Sequence, residues 1–288
     1  MKRTFTTPSI FTTRILVLAS MLLVAASTTS LHAQITGTKN IPGDYADLAA
    51  AIADLNAVGV GAGGVTLNLV AGNPQTGPVG GYSITTLTGT AANTITLQGN
   101  GNTITANGGL TAGALNDGIF KIIGADWVTI TGFTMQENAA NLITAAATNN
   151  MTEWGVAILY TTTTDGSQNC TIQNNTISLN RVYQNTFGVY SNSTHAAATI
   201  ATSATATGAN GGNHNLVVRA NTISNVNIGI VVVGPTAAAD QNLSITVGGN
   251  AAADGNTISN YGTTGTFSGY ANVSGTVNGI LIDRKSVV

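Results

Sequence analysis

The chain has 288 residues, 43% of them hydrophobic but only 7% charged and 5% aromatic, with nine Lys and Arg against eleven Asp and Glu. A soluble domain is about 25% charged, so Gly, Thr, Asn, Ser and Ala must make this surface polar. The net charge of −2 without a basic patch excludes nucleic acid as a partner, the single Cys excludes a disulfide framework or a Cys-based zinc site, and the aliphatic content excludes charge-driven disorder.

In chain order, Lys2, Arg3 and Arg14 precede an apolar run at 15–26, and Leu31-His32-Ala33 places a small residue before Gln34. A run of twelve residues falls short of the roughly 20 that span a bilayer. Charge, apolar run and small residue come in the order of a secretory signal peptide, so 1–33 is expected to be removed near Ala33. The mature chain, with six bases against eleven acids and a net charge of −5, is expected to be secreted or held at the cell surface without spanning a membrane. Residues 34–64 predict an N-terminal strand and a helix. Leu48, Ile52 and Leu55 share one helical face, Asp44 fits the N-cap and Gly59 the C-terminal stop. The glycine run 59–64 follows a helix and precedes a strand, the reverse of a dinucleotide loop, and reads as a linker.

From 65 to 282 the chain repeats. The segments 127–135, 169–177 and 215–223 superimpose without gaps, and gapped copies flank them at 95–104 and 243–258. Anchoring on Ile104, Met135, Ile177, Ile223 and Ile258 gives spacings of 31, 42, 46 and 35 residues. Between copies stands a Gly-apolar strand, aligned on Gly118, Gly155, Gly188, Gly229 and Gly279. β-Branched residues with an apolar period of two exclude helical repeats. Three short strands per unit, running always in one direction, predict an all-β right-handed parallel β-helix, a solenoid under an N-terminal capping helix. Val128 and Ile130, Cys170 and Ile172, and Leu216 and Val218 should point inward; Thr129, Thr171 and Val217 should point outward. Asn174-Asn175, Ala220-Asn221 and Gly132-Phe133 should bend sharply through left-handed backbone, with stacked Asn amides bonding up the axis. Unequal spacings place longer loops at 138–153, 191–212 and 259–278. The last six residues, 283–288, crowd three charges after the interrupted strand 279–282. They read as a non-native tail on a truncated β-helix.

The 45–59 helix, the strand Val65-Thr66-Leu67-Asn68-Leu69, and the Gly-Ile and Asn-Asn-Thr-Ile-Ser elements together resemble the pectin-lyase-like right-handed β-helix superfamily in its secreted bacterial repeat form. The resemblance covers about 41–282 and implies the fold. For activity it implies a choice among lyases, hydrolases, esterases and non-catalytic surface proteins. Lyases of this kind use calcium on clustered acids with an Arg or Lys base, and the hydrolases use paired Asp residues and a Gly-His-Gly signature. Here Asp117, Asp126, Glu137, Glu153 and Asp165 read as scattered, with no acid pair sharing a column, and no Asp-Asp, Asp-Glu or Gly-His-Gly occurs. No cofactor is therefore expected, calcium entering only under a lyase reading.

The best polar column is Asp126, Gln168 and His214, one residue before the second strand of three consecutive units. Asp126 and His214 would lie two strand spacings apart, about 9–10 Å, too far to pair directly. Arg219 shares the outward column of Thr131 and Gln173. Lys121 could face a groove. Trp127, Trp154, Tyr160, Tyr183 and Tyr190 offer a sugar-stacking surface, with core or edge packing the competing use. Cys170 aligns with Val128 and Leu216 and reads as a buried small hydrophobe. The substrate-binding candidates are thus Asp126, Trp127, Gln168, His214 and Arg219, with no catalytic or metal-binding residue. A polysaccharide or cell-surface glycan is the expected partner, and no signal bears on oligomeric state. The expected function is a non-catalytic structural, adhesin-like or carbohydrate-contacting module. The alternative is the N-terminal fragment of a polysaccharide lyase or glycoside hydrolase.

Overall fold

A strand of alternating aliphatic and small polar residues buries one face and needs neighbours to cover its edges. In the computed structural model, which describes residues 33–110, 117–141, 151–182, 185–192, 206–235, 237, 240–262 and 279–282, those neighbours are further turns of the same chain. The expected signal peptide up to His32, the tail 283–288, Tyr183 and most of the three long loops lie outside the described residues.

Sheet A has seven parallel strands in the order β1 (Ile35–Ile41), β2 (Val60–Leu69), β5 (Ile95–Gln98), β8 (Val128–Thr131), β11 (Thr171–Gln173), β14 (Val217–Arg219) and β17 (Thr246–Val247). Sheet B has six: β3 (Gln75–Thr76), β6 (Thr103–Thr105), β9 (Thr134–Gln136), β12 (Thr176–Ser178), β15 (Thr222–Val226) and β18 (Thr257–Tyr261). Sheet C also has six: β4 (Tyr82–Ile84), β7 (Gly118–Ile123), β10 (Trp154–Leu159), β13 (Phe187–Ser191), β16 (Ile228–Val232) and β19 (Ile280–Ile282). From β4 onward each coil takes one strand from sheet C, then A, then B, before the chain rises to the next coil. The fold is a right-handed parallel β-helix, as the repeat predicts.

The anchors stack in the expected register. Ile104 pairs with Met135, Met135 with Ile177, Ile177 with Ile223 and Ile223 with Ile258. In sheet A, Ile172 lies between Ile130 and Val218. Val128, Ile130, Cys170, Ile172, Leu216 and Val218 are fully buried in one continuous core, while Thr129, Thr171 and Val217 are half-buried on the outer face.

The bends between sheets A and B follow the sequence closely. Gly132, Asn174 and Ala220 adopt left-handed backbone, with φ of 74°, 55° and 53°. The residue after Asn174 and after Ala220 turns inward and builds a buried amide ladder, whereas Phe133 follows Gly132 into the core. Asn175 Nδ2 donates to Asn221 Oδ1 at 3.1 Å, and Asn221 Nδ2 donates to Asn256 Oδ1 at 3.0 Å and to the Ile172 carbonyl at 2.9 Å. Removing Asn221 would strand buried donors and acceptors on both neighbouring coils, which costs more than the bonds contribute. Asn221→Ala is expected to lower unfolding free energy by about 2–3 kcal/mol, read from the denaturant midpoint. Asn40→Ala in the exposed rung Asn68–Asn40 is expected to cost under about 0.5 kcal/mol. Equal losses would show that burial does not set the ladder's worth.

Three expectations need correction. The helix α1 (Leu48–Val58) buries Leu48, Ile52 and Leu55 and ends at Gly59 as expected, but its N-cap is Asp47, whose side chain accepts from Ala50 N at 2.8 Å. Asp44 instead accepts from Asn40 N. The supposed linker is largely strand. Residues 60–64 belong to β2, and the register shifts between Ile35 and Gly37, where Gly63 and Gly64 supply left-handed backbone for a bulge.

The third correction concerns sheet C. Gly118 pairs with Trp154 rather than Gly155, so Phe120 stacks on Val156 and Ile122 on Ile158. A slip of one residue exchanges the two faces of a strand. The observed register keeps Phe120 inside, where its ring stacks on Tyr82 with centroids 5.2 Å apart. Gly155, Gly188 and Gly229 do share a column, and each leaves room for an isoleucine of sheet B. A Cβ at these positions would lie 2.6, 2.5 and 2.7 Å from Cγ2 of Ile177, Ile223 and Ile258 respectively. In the second coil that column holds Ile119, and the sheet B position holds the unbranched Met135.

The outer face of sheet C is apolar too. Trp154, Ala157, Leu159, Tyr160, Phe187, Tyr190, Ile228, Val231 and Val233 form a second buried cluster, to which Ala206 adds from outside the sheet. No helix among the described residues is long and apolar enough to cross a membrane.

Candidate functional site

The corner that leads into sheet A is built from left-handed residues. Trp127, Asn169, Asn215 and Ser244 occupy it in successive coils, with φ of 57°, 56°, 55° and 56°. Their backbone amides climb the axis: Trp127 N donates to Gln168 O, Asn169 N to His214 O and Asn215 N to Leu243 O, at 2.8–2.9 Å. Three of these four corners carry small polar residues. Trp127 is the exception, a large half-buried ring on backbone that L residues adopt at a cost.

The residue before each corner is the predicted polar column. Asp126, Gln168 and His214 fall in register, and Leu243 continues the column. The side chains of Asp126 and His214 fasten one coil to the next. Asp126 Oδ1 accepts from Gln168 N at 2.7 Å, and His214 Nδ1 accepts from Leu243 N at 2.9 Å. Burial pushes the Asp126 carboxyl above its ordinary range; the Gln168 amide opposes the shift and the Asp165 charge adds to it. Burial lowers the His214 imidazole, partly offset by a hydrogen bond to the Ala209 backbone. A ring nitrogen that accepts an amide proton is unprotonated, so the geometry and the shift agree.

Arg219 lies in its expected outward column, beside Gln173 and one strand further from Thr131. Its Nε donates to Gln173 Oε1 at 2.9 Å, and its guanidinium stands 3.8 Å from the Asp254 carboxylate. With 43% of its side chain exposed, this ion pair is a weak surface clamp across three coils. Arg219 is not gathered with the column: it ends β14 on the outer face, His214 precedes the same strand, and Asp126 precedes β8 two coils earlier.

The aromatic candidates separate. Trp154, Tyr160 and Tyr190 are buried in the outer cluster of sheet C, so they form no open stacking surface. Tyr183 lies outside the described residues, which leaves Trp127 as the one described member of the set with partial exposure. Cys170 is fully buried, as expected, and burial pushes its thiol up to about 12. Lys121 is only 5% exposed, in β7 beside Ala157, rather than open in a groove. Burial lowers its ammonium, against the attraction of Asp117.

The expectation that no acids share a column fails in sheet C. With Gly118 on Trp154, Asp117 falls beside Glu153. Glu153 N donates to Asp117 O at 2.6 Å, and both residues are fully buried. Burial holds the Glu153 carboxyl well above the usual carboxylate range, while its side-chain hydrogen bond with Asp117 acts in the opposite sense. The legible signal was the interior parity of Phe120 and Val156; aligning glycines instead sets Asp117 against Trp154 and hides the pair. A third acid, Glu137, fastens the approach to β10. It accepts from Thr152 N, the Thr152 hydroxyl and Asn141 Nδ2 at 2.7–2.8 Å. Among the described residues no three His, Cys, Asp or Glu side chains converge as a metal centre would require.

A shallow depression of about 450 Å³ beside α1 is lined by Asp47, Asn73, Gln75 and Tyr82 among others. Its polar groups are engaged locally: Gln75 Oε1 accepts from Leu48 N at 3.1 Å and from the Tyr82 hydroxyl at 3.3 Å.

Compared with known proteins, the chain matches no family model, no curated protein and no solved structure. Its sheet topology makes it a parallel β-solenoid.

Proposed function

We propose that the chain is a secreted or cell-surface β-helix of the pectin-lyase-like kind, acting as a structural, adhesin-like module that contacts carbohydrate without cleaving it. The observation that carries this reading is Trp127. Its corner is occupied by Asn or Ser in the next three coils, yet here a half-buried indole is kept at a φ of 57°. Strained positions held by a rigid scaffold are where binding residues concentrate, and an indole face suits the apolar face of a sugar ring. Asp126 and His214, spent on coil-to-coil bonds, fit a scaffold better than an acid–base pair.

The test is binding of the purified chain to a panel of acidic and neutral polysaccharides, with and without calcium, scored for both retention and product release. Wild type should be retained on at least one polysaccharide and release nothing. Trp127→Asn should lose retention at least tenfold while its melting temperature holds or rises by a few degrees, because Asn tolerates the left-handed corner better. Undiminished retention by this variant would remove the basis of the reading.

A further inference from the structure

Two carboxyl groups in contact and away from water cannot both ionise at neutral pH; one keeps a proton. Asp117 and Glu153 are placed for this: both are fully buried, and they lie side by side on successive coils, where Glu153 N donates to the Asp117 carbonyl at 2.6 Å. They stand at the entry to sheet C on successive coils, immediately before β7 and β10. Trp154, next to Glu153, begins the outer apolar cluster. We infer that Asp117 and Glu153 form a proton-dependent latch that fastens the second coil to the third beneath the outer layer of sheet C and loosens as pH rises.

The surroundings support a carboxyl-centred device. β7 brings Lys121, whose charge is attracted to Asp117 and whose ammonium burial disfavours. The segment after β9 brings Glu137, held by Thr152 beside Glu153. From the fourth coil, Phe187 N donates to the Glu153 carbonyl, and the residues before it, Asn185 and Thr186, are neutral. Beyond them β13 brings the Tyr190 phenol, which packs against Trp154. Among these described groups Lys121 is the one cation, so raising pH adds negative charge that it answers only once.

The sign follows from linkage. Glu153 titrates higher in the folded chain than in the unfolded one. Its contribution to stability is therefore complete below the unfolded value and is lost as pH rises through the folded value.

Thermal unfolding of the full chain from about pH 5 to about pH 9 tests this. The wild-type midpoint should fall by several degrees across the range, and Glu153→Gln, which keeps the shape and removes the titration, should flatten the dependence. An unchanged slope in Glu153→Gln, or a flat wild-type profile, overturns the latch. If that variant does not fold, the infrared carbonyl band of a protonated carboxyl in the wild-type chain at neutral pH decides: its presence supports the latch, and its absence overturns it.

Discussion

Ile172→Asp is expected to destabilise the chain by at least about 4 kcal/mol, whereas Thr171→Asp, one residue earlier, should cost under about 0.5 kcal/mol. Ile172 is fully buried at the middle of sheet A, between Ile130 and Val218 on adjacent coils. A carboxylate there faces an aliphatic column on both sides. The nearest polar groups belong to the buried amide ladder, and the Ile172 carbonyl already accepts from Asn221. An isolated buried charge is not held; the group stays protonated or the coil opens to water. Thr171 lies between Thr129 and Val217 on the outer face, where added charge stays hydrated. At this chain length about 1 kcal/mol corresponds to roughly 2–4 °C, so calorimetry or circular dichroism separates the two variants by about 10 °C. Comparable losses would mean that the inward and outward faces of sheet A are misassigned.

Sheets A and B were readable because each of their strands is flanked by residues with one structural use. Asn, Ala or Gly at the bend must adopt left-handed backbone, and the following Asn must turn inward, so Asn174-Asn175 and Ala220-Asn221 fix the register to the residue. Sheet C lacks such a mark. Glycine serves two purposes there: Gly155, Gly188 and Gly229 make room for isoleucines of sheet B, whereas Gly118 lies under the Trp154 indole, where a Cβ would come within 3.1 Å of Cε3. A sequence writes both as Gly before an apolar run. Aligning them cost one residue of register and hid Asp117 beside Glu153. The N-cap misplacement has a similar origin, since Asp44 and Asp47 are both short acids and only the fold shows which one meets the free amides of α1. For the candidate column, position was legible and role was not. Asp126, Gln168 and His214 stack as expected, but that Asp126 and His214 accept backbone amides from the next coil depends on a corner geometry carried by Trp127 and Asn215. Burial of Trp154, Tyr160 and Tyr190 was equally hidden, because strand alternation marks the face a side chain takes and not whether that face is covered.

Gly188→Ala should be the most damaging single-methyl addition among these columns, with a loss of about 2–3 kcal/mol and a melting temperature lower by about 5–10 °C. Its backbone requires no positive φ, so the cost is packing alone. The new Cβ would come within 2.5 Å of Ile223 Cγ2 and 2.6 Å of the Gly229 carbonyl oxygen. Neither neighbour yields easily: Ile223 is pinned between Ile177 and Ile258, and the Gly229 carbonyl belongs to the next coil. Gly77→Ala is the matched control, since its Cβ would meet nothing nearer than 3.6 Å and its φ is ordinary; it should be neutral or slightly stabilising. In an Ile223→Ala background Gly188→Ala should cost about 1 kcal/mol less, a coupling that residues in contact produce and distant ones do not. The remaining loss then belongs to the carbonyl contact, the distance that stacking one coil on the next sets for the whole solenoid. Strict additivity of the two substitutions, measured by denaturant unfolding, would show that the glycine column does not serve to seat the isoleucines of sheet B.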